Sequence, residues 1–177
     1  MKNLNKVGLL SSMALLIGSA YAEEFKPGFY VVGAAGQTTF YSSVNSNVSL
    51  ASNSYLFSLG YEVTPSIALE GGYGNLFTYN YTYSSSYYIK DTLDAYTFAA
   101  VYKPFPGKIT PLFSIGTLSG TETLKANYGS GTWTYSKTTY GIGLEVPLDE
   151  RAGFRVNYTA ASDNTATLLT AGVVFRF

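Results

Sequence analysis

From Phe29 onward, apolar side chains alternate with small or polar side chains along eight segments of the chain. Successive side chains of a β-strand point to opposite faces, so this period of two predicts strands with one apolar face. In the last segment, for example, Leu169 and Val173 alternate with Thr170 and Gly172. Helical spacing is not sustained in any segment. We therefore predict an all-β fold of eight antiparallel strands.

The connections between these segments alternate between short and long. The predicted strand cores are residues 29–40, 54–63, 67–79, 93–102, 109–118, 136–146, 152–160 and 167–177. Three short connections contain proline, at residues 64–66, 103–108 and 147–150. Three long connections are rich in Ser, Thr, Asn, Gly and Tyr, at residues 42–53, 80–91 and 119–134. This alternation predicts an up-and-down meander with tight turns at one end and long loops at the other.

The distribution of charge indicates which face of the strands meets water. A soluble ligand-binding barrel would turn its apolar face inward and carry charges outside. Here no apolar face carries a charge in any strand core, whereas the polar faces combine glycines with Glu and Arg. An Arg or Lys that faces lipid at mid-depth costs about 2–4 kcal/mol, so a lipid-facing surface is free of charge. The pattern predicts an eight-stranded antiparallel up-and-down transmembrane β-barrel with its apolar side outward.

The first 22 residues are typical of a secretory signal peptide. Lys2 and Lys6 precede an apolar stretch from Val7 to Gly18, and Ala20 and Ala22 occupy the −3 and −1 positions before Glu23. We therefore expect residues 1–22 to be a cleaved signal peptide and residues 23–177 to be the barrel domain. An even strand number returns both ends of the barrel to the side of the leader. The tight turns should then be periplasmic and the long loops extracellular.

The residue inventory excludes several classes of function. The sequence has neither Cys nor His, which excludes disulfides, thiolate chemistry, imidazole bases and His-bound metals. Lys plus Arg and Asp plus Glu both number 11, so there is no basic surface typical of a nucleic-acid-binding protein. A Ser–Lys arrangement through Lys90, Lys125 or Lys137 stays open, but lysine is common in loops as a solvated charge. We predict no catalytic, cofactor-binding or metal-binding residue and expect a protein that is not an enzyme.

Five charged side chains on the polar faces are expected to meet inside the barrel near its periplasmic end. They are Glu62, Glu70, Glu145, Arg155 and Arg176. Eight strands enclose a space that side chains can fill, and unpaired charges there are costly, so we expect Glu–Arg pairs. Two interpretations of this cluster are open: a plug that satisfies polar groups, or a gate in a narrow conducting path.

The long loops carry most of the remaining aromatic residues. Phe77 and Tyr79 begin a run of one parity that includes Tyr81 and Tyr83, which predicts a hairpin paired across residues 84–86. The other exposed aromatics expected there are Tyr87, Tyr88, Tyr128, Trp133 and Tyr135. Surfaces that combine Tyr and Trp with Ser, Gly and Asn adapt to many partners, and a projecting strand edge can recruit a partner strand. Alternatively, these residues pack the hairpins and the outer aromatic girdle, to which we assign Tyr41, Tyr55, Phe77, Tyr79 and Tyr96.

Three segments resemble the small eight-stranded outer-membrane barrels grouped with OmpA, OmpX and the opacity proteins. They are GFYVVGAAG in the first strand, LFSLGYEVTPSIALEGGYG over residues 56–74, and the terminal VVFRF. The resemblance implies a place in the Gram-negative outer membrane among its lipids. It also implies insertion by the barrel assembly machinery, with Phe175 and Phe177 as the assembly signal.

Together these features predict a non-enzymatic outer-membrane protein with a polar, plugged lumen. Its loops would serve adhesion or another extracellular interaction, with a host or other surface ligand as partner. A narrow porin-like channel is one alternative. A lipid A-modifying barrel enzyme is another, although the acyl chemistry of such enzymes relies on a His that this chain lacks.

Overall fold

Eight antiparallel strands form a closed barrel in the computed structural model, which describes residues 26–41, 49–84 and 87–177. The strands are β1 (Gly28–Tyr41), β2 (Ser49–Thr64), β3 (Ile67–Ser84), β4 (Tyr87–Tyr102), β5 (Thr110–Ala126), β6 (Gly129–Pro147), β7 (Ala152–Ala161) and β8 (Ala166–Arg176). Each strand pairs with the next, and β1 also pairs with β8. The predicted fold class is thus confirmed. The predicted signal peptide lies outside the described residues.

The apolar faces of the strands point outward, as predicted. The outward side chains form a ring, here called the apolar belt, in which no side chain is charged. The belt consists of the outward residues of 29–35, 55–63, 67–73, 96–102, 113–115, 140–146, 154–158 and 169–175. Within the described residues, no helix has both the length and the apolar character to cross a bilayer.

The two ends of the barrel differ in the length of their connections. The turns after β2, β4 and β6 lie at one end, here called the short-turn end. Both ends of the barrel chain lie there too, because Gly28 pairs with Glu62 and Tyr30 with Arg176. The opposite end, here called the long-hairpin end, holds the connections after β1, β3, β5 and β7.

Two of the predicted long loops are mostly strand. The β3–β4 ladder continues to the pair Ser84 and Tyr87, and the β5–β6 ladder continues to Ala126 and Gly129. The prediction of loops at 80–91 and 119–134 is therefore wrong. These segments are polar on both faces, so apolar periodicity does not mark them, yet their Thr and Tyr residues favour strands. The predicted hairpin of β3 and β4 is present; the predicted loop 42–53 is strand from Ser49, and residues 42–48 lie outside the described part.

A β-bulge at Leu76 reverses the parity of β3. The β3–β4 register shifts between Asn75 and Phe77, so Phe77 points inward and is only 5% exposed. Its ring packs against Phe40 at a centroid distance of 5.2 Å and against Tyr79 at 6.5 Å. The assignment of Phe77 and Tyr79 to the outer girdle is therefore wrong, because the extra residue moves every later β3 side chain to the opposite face.

A charge placed in the apolar belt should destabilise the barrel. Leu59 points outward at the middle of the β2 part of the belt. We expect Leu59→Arg to cost about 2–4 kcal/mol of unfolding free energy in phospholipid vesicles. Urea unfolding followed by the loss of compact gel mobility measures this cost. Thr134→Arg, on β6 beyond the belt, is the control, and equal costs for the two variants would contradict the assignment of the belt to lipid.

Candidate functional site

Six charged side chains, three acidic and three basic, form a continuous network inside the short-turn end. Following the contacts, the order is Glu70, Arg155, Glu145, Arg176, Glu62 and Lys103. The Arg155 guanidinium donates to Glu145 Oε2 through Nε at 2.9 Å and through Nη2 at 2.7 Å. Lys103 Nζ donates to Glu62 Oε1 at 2.5 Å. The structure thus brings together all five charges that the sequence assigned to the lumen.

The strand register explains why these side chains meet. Glu145 on β6 lies directly opposite Arg155 on β7, and both side chains point inward. Each residue is only 2% exposed, so neither charge is solvated by bulk water. Arg155 Nη1 also donates to Glu70, which reaches it from β3 on another part of the barrel wall. A buried charge of this kind is tolerated because every partner is ionised and hydrogen-bonded.

Two members of this region, Lys103 and Tyr30, were missed in the sequence analysis. Lys103 belongs to the turn KPFPGK, yet it is 4% exposed and continues the inward parity of Val101 on β4. Extending the strand alternation by one step would have found it. Tyr30 is 1% exposed, and its hydroxyl donates to Glu70 Oε1 at 2.5 Å. Its ring also lies 5.2 Å from Lys103 Nζ and 5.5 Å from the Arg155 guanidinium carbon.

Gly60 makes room for the Tyr30 ring. Gly60 is the direct partner of Tyr30 on β2, and Glu70 is the partner of Gly60 on β3. The Tyr30 side chain therefore crosses over Gly60 to reach Glu70, and a Cβ atom at Gly60 would overlap the Tyr30 ring. This close approach is the reason for glycine at position 60.

At the long-hairpin end, four strands extend past the apolar belt as a projecting sheet. It consists of residues 76–84 of β3, 87–94 of β4, 119–126 of β5 and 129–138 of β6. β6 pairs with β7 only from Thr139 to Pro147. Residues 129–137 of β6 are therefore an unpaired edge among the described residues, here called the β6 edge.

One hydrogen bond shows in which direction the backbone N–H and C=O groups of the β6 edge point. Ser162 N donates to Thr138 O at 2.9 Å, so the backbone polar groups of Thr138 point toward β7. The N–H and C=O of one residue point to the same side of an antiparallel strand and alternate along it. The backbone groups of Thr134 and Ser136 thus face away from β5, while those of Trp133 and Tyr135 belong to the β5–β6 ladder.

The predicted contact residues lie along this sheet. Tyr128 occupies the β5–β6 turn and is 86% exposed, and Trp133 on β6 is 53% exposed. Tyr88 and Tyr79 are also exposed, on β4 and β3. Three further predicted contacts, at positions 81, 83 and 87, lie in β3 and β4, but their side chains lie outside the described part of the chain.

The predicted assembly residues lie at the end of β8. Phe175 points outward and is exposed in the apolar belt. Phe177 N donates to Phe29 O at 3.0 Å, which extends the β8–β1 pairing to the last residue. The aromatic side chains at both positions are therefore accessible from the lipid side.

Two further groups of charges lie at the long-hairpin end. Lys137 on β6 pairs with Asp163 in the β7–β8 connection, and this ammonium, together with the Thr165 hydroxyl, lowers the pKa of Asp163 to about 2. On the inward face beyond the belt, Asp91 and Glu122 lie close to each other, and burial raises the pKa of both carboxyl groups. Across the described ranges, no group of three or more acidic side chains is arranged to hold a metal ion.

The comparisons with known proteins agree with this architecture. A family model described as "Outer membrane protein beta-barrel domain" matches residues 8–177. No curated protein matches the sequence significantly.

Several solved structures share the fold at low sequence identity. Neisserial surface protein A has 18% identity and a TM-score of 0.66, covering 86% of this chain and 100% of its own. Ail, the attachment invasion locus protein of Yersinia pestis, solved with the heparin analogue sucrose octasulfate, has 14% identity and a TM-score of 0.64, covering 85% and 98%. The N-terminal β-barrel domain of Pseudomonas aeruginosa OprF has 18% identity and a TM-score of 0.63, covering 85% and 99%.

Removing the central cation of the network should strongly destabilise the barrel. Arg155→Ala leaves Glu70 and Glu145 buried without their main partner, and breaking a buried pair in this way costs about 3–5 kcal/mol. Urea unfolding in vesicles measures the loss. Arg151→Ala, in the exposed β6–β7 turn, serves as the control and should change stability little. Equal stability of Arg155→Ala and the wild-type chain would show that the network does not hold the barrel together.

Proposed function

Because this chain belongs to the family of outer membrane protein β-barrel domains and is located in the Gram-negative outer membrane, we propose that it is a non-enzymatic surface protein whose projecting sheet binds extracellular partners. The short turns face the periplasm and the projecting sheet faces the outside, because the eight strands return both ends to the leader side. The barrel assembly machinery inserts it through the β8 end with Phe175 and Phe177.

The β6 edge is the observation that carries this proposal. Among the described residues, the backbone N–H and C=O groups of the β6 edge that face away from β5 have no partner strand, and they form a template for an added strand. Soluble proteins usually block such an edge with proline, lysine or a bulge, but the β6 edge has no proline and its one charge is Lys137 at its end, so residues 129–136 are unprotected. A partner with an extended segment can therefore add a strand to β6.

The composition of the sheet supports the same role. Tyr128 and Trp133 present large aromatic surfaces, and Thr132, Thr134 and Ser136 alternate with Trp133 along β6. Tyr and Trp give contact area at low cost in conformational entropy, while Ser and Thr adapt their hydrogen bonds. We assign partner contacts to Tyr79, Tyr88, Tyr128 and Trp133, and to the tyrosines at 81, 83 and 87.

Anionic carbohydrate is one ligand class that the charges favour. Lys90 and Lys125 lie directly opposite each other on β4 and β5, and both are exposed. Like charges in directly opposite positions repel, and an anionic ligand that contacts both relieves this repulsion. The similar Ail structure was solved with a heparin analogue, which makes immobilised heparin a suitable first probe.

We also propose that the lumen is plugged and that the protein is not a channel. The ionic network crosses the interior with three acidic and three basic side chains, so its formal charges balance. A small barrel filled in this way leaves no continuous aqueous path.

Conductance distinguishes a plug from a gate. In planar bilayers the wild-type barrel should give no steady ohmic current. Replacing Glu145 and Arg155 together by Ala removes the centre of the network and should give measurable current. A steady current through the wild-type barrel would establish the narrow channel instead.

A proline in the β6 edge should reduce binding without unfolding the barrel. Thr134→Pro removes an N–H that points away from β5, so the β5–β6 ladder keeps its hydrogen bonds. Adhesion of cells that display the protein to surfaces coated with serum and extracellular-matrix proteins measures the effect. We expect the bound fraction to fall to background with unchanged gel mobility. Thr134→Ala is the matched side-chain control, and equal adhesion of both variants would argue against strand addition.

A further inference from the structure

The barrel interior contains a cavity of about 390 Å³ between the ionic network and the long-hairpin end. Its lining runs from Glu70 at the network to Glu122, Tyr135 and Lys137 near the opening. The walls at mid-height carry short side chains such as Ser58, Thr97 and Ser114. Because short residues replace the larger ones that fill small barrels, space for a small molecule remains.

The upper part of this cavity is apolar. Leu76, Leu93 and Leu168 are buried there, and Phe40 and Leu118 pack against them. The parity change at Leu76 contributes to this wall by turning Phe77 inward. An apolar chain or ring that enters from the long-hairpin end therefore finds a matching surface.

A carboxyl pair lies beside the apolar wall. Glu122 is the direct partner of Leu93, and Asp91 is two residues from Leu93 on β4. Asp91 Oδ1 is buried and has no hydrogen-bond partner in the described structure. In the described part of the chain, neither residue takes part in a salt bridge.

The nearby cation does not balance this pair. Lys137 also lines the cavity, but its ammonium is held by Asp163 and lies within 3.4 Å of Thr165 Oγ1. The unbalanced charge at the opening is therefore negative. An ammonium group can donate hydrogen bonds to the carboxyl oxygens of this pair. The aromatic face of Tyr135 can also contact a cation through a cation–π interaction.

The wall provides an independent sign of a polar occupant. Thr38 lines the cavity and is 2% exposed, but its Oγ1 hydroxyl has no hydrogen-bond partner among the described residues. Buried polar groups are nearly always hydrogen-bonded, so this hydroxyl points to a polar partner within the cavity.

We propose that the cavity binds a small cationic amphiphile, with its apolar chain against Leu76, Leu93 and Leu118 and its ammonium group at Asp91 and Glu122. This site is separate from the β6 edge and does not depend on the proposed adhesion. The ligand enters from the extracellular side, because the ionic network closes the other end.

Three probes with one chain length and different head groups test this site. Hexylammonium, hexanol and hexanoate are titrated onto the protein in lipid nanodiscs. Trp133, the only tryptophan in the chain, lies opposite Glu122 on β6 and reports binding by fluorescence. We expect saturable binding of hexylammonium, binding about tenfold weaker for hexanol, and none for hexanoate.

Two sets of variants separate the head-group site from the chain site. The double variant Asp91→Asn, Glu122→Gln should bind hexylammonium about tenfold more weakly and should bind hexanol with unchanged affinity. Ser114→Leu fills the cavity and should remove binding of both, whereas Ile115→Leu, the outward neighbour, should remove neither. Compact gel mobility verifies that each variant is folded. If Ser114→Leu does not fold, the double variant Asp91→Asn, Glu122→Gln still tests the head-group site.

Two results would overturn the proposal. Equal responses to the three probes that no variant changes would mean partition into lipid. Saturable binding of Ca²⁺ alone, with no binding of hexylammonium, would mean that the carboxyl pair is a cation site without an apolar subsite.

Discussion

The hydrocarbon interior of a membrane offers no hydrogen bonds to the peptide backbone, and this constraint governs the whole barrel. Every N–H and C=O at that depth must pair within the protein, and pairing of β1 with β8 leaves no strand edge in the apolar belt. Closure also means that alternate residues of each strand face two different environments, the lipid outside and the lumen inside. Leu59 and Ile142 can face lipid only because their neighbours face a lumen that accepts glycine, hydroxyl and charge.

The lumen concentrates its charges where they satisfy one another. Arg155 holds Glu70 and Glu145, and Arg176 links Glu145 to Glu62, so no acid of the network faces the interior alone. Above the network the side chains become short, and the cavity begins. In our proposal, the same small barrel is closed at its short-turn end and open to small molecules at the other.

Beyond the belt the hydrogen-bonding constraint is relaxed, because water can solvate free backbone groups. The projecting sheet keeps its strands, but within the described part of the chain residues 129–137 of β6 pair with β5 alone. A free edge is incompatible with lipid and useful in solution, where it can bind a partner strand. The proposed partner contacts of the protein accordingly lie on the part that the membrane does not restrict.

The sequence by itself determined the eight strands, the outward face and the five lumen charges, because apolar alternation and the exclusion of charge from lipid are local properties of the chain. It could not show that Phe77 turns inward, since the bulge at Leu76 leaves no mark on the alternation before it. Lys103 was missed because a turn lysine is ordinarily solvated, although the inward parity of β4, extended by one step, reaches it. Which charges pair with which, where the cavity lies and which strand edges of the projecting sheet stay free were decided only by the tertiary structure, because barrel closure and strand register bring together residues that are distant in the chain.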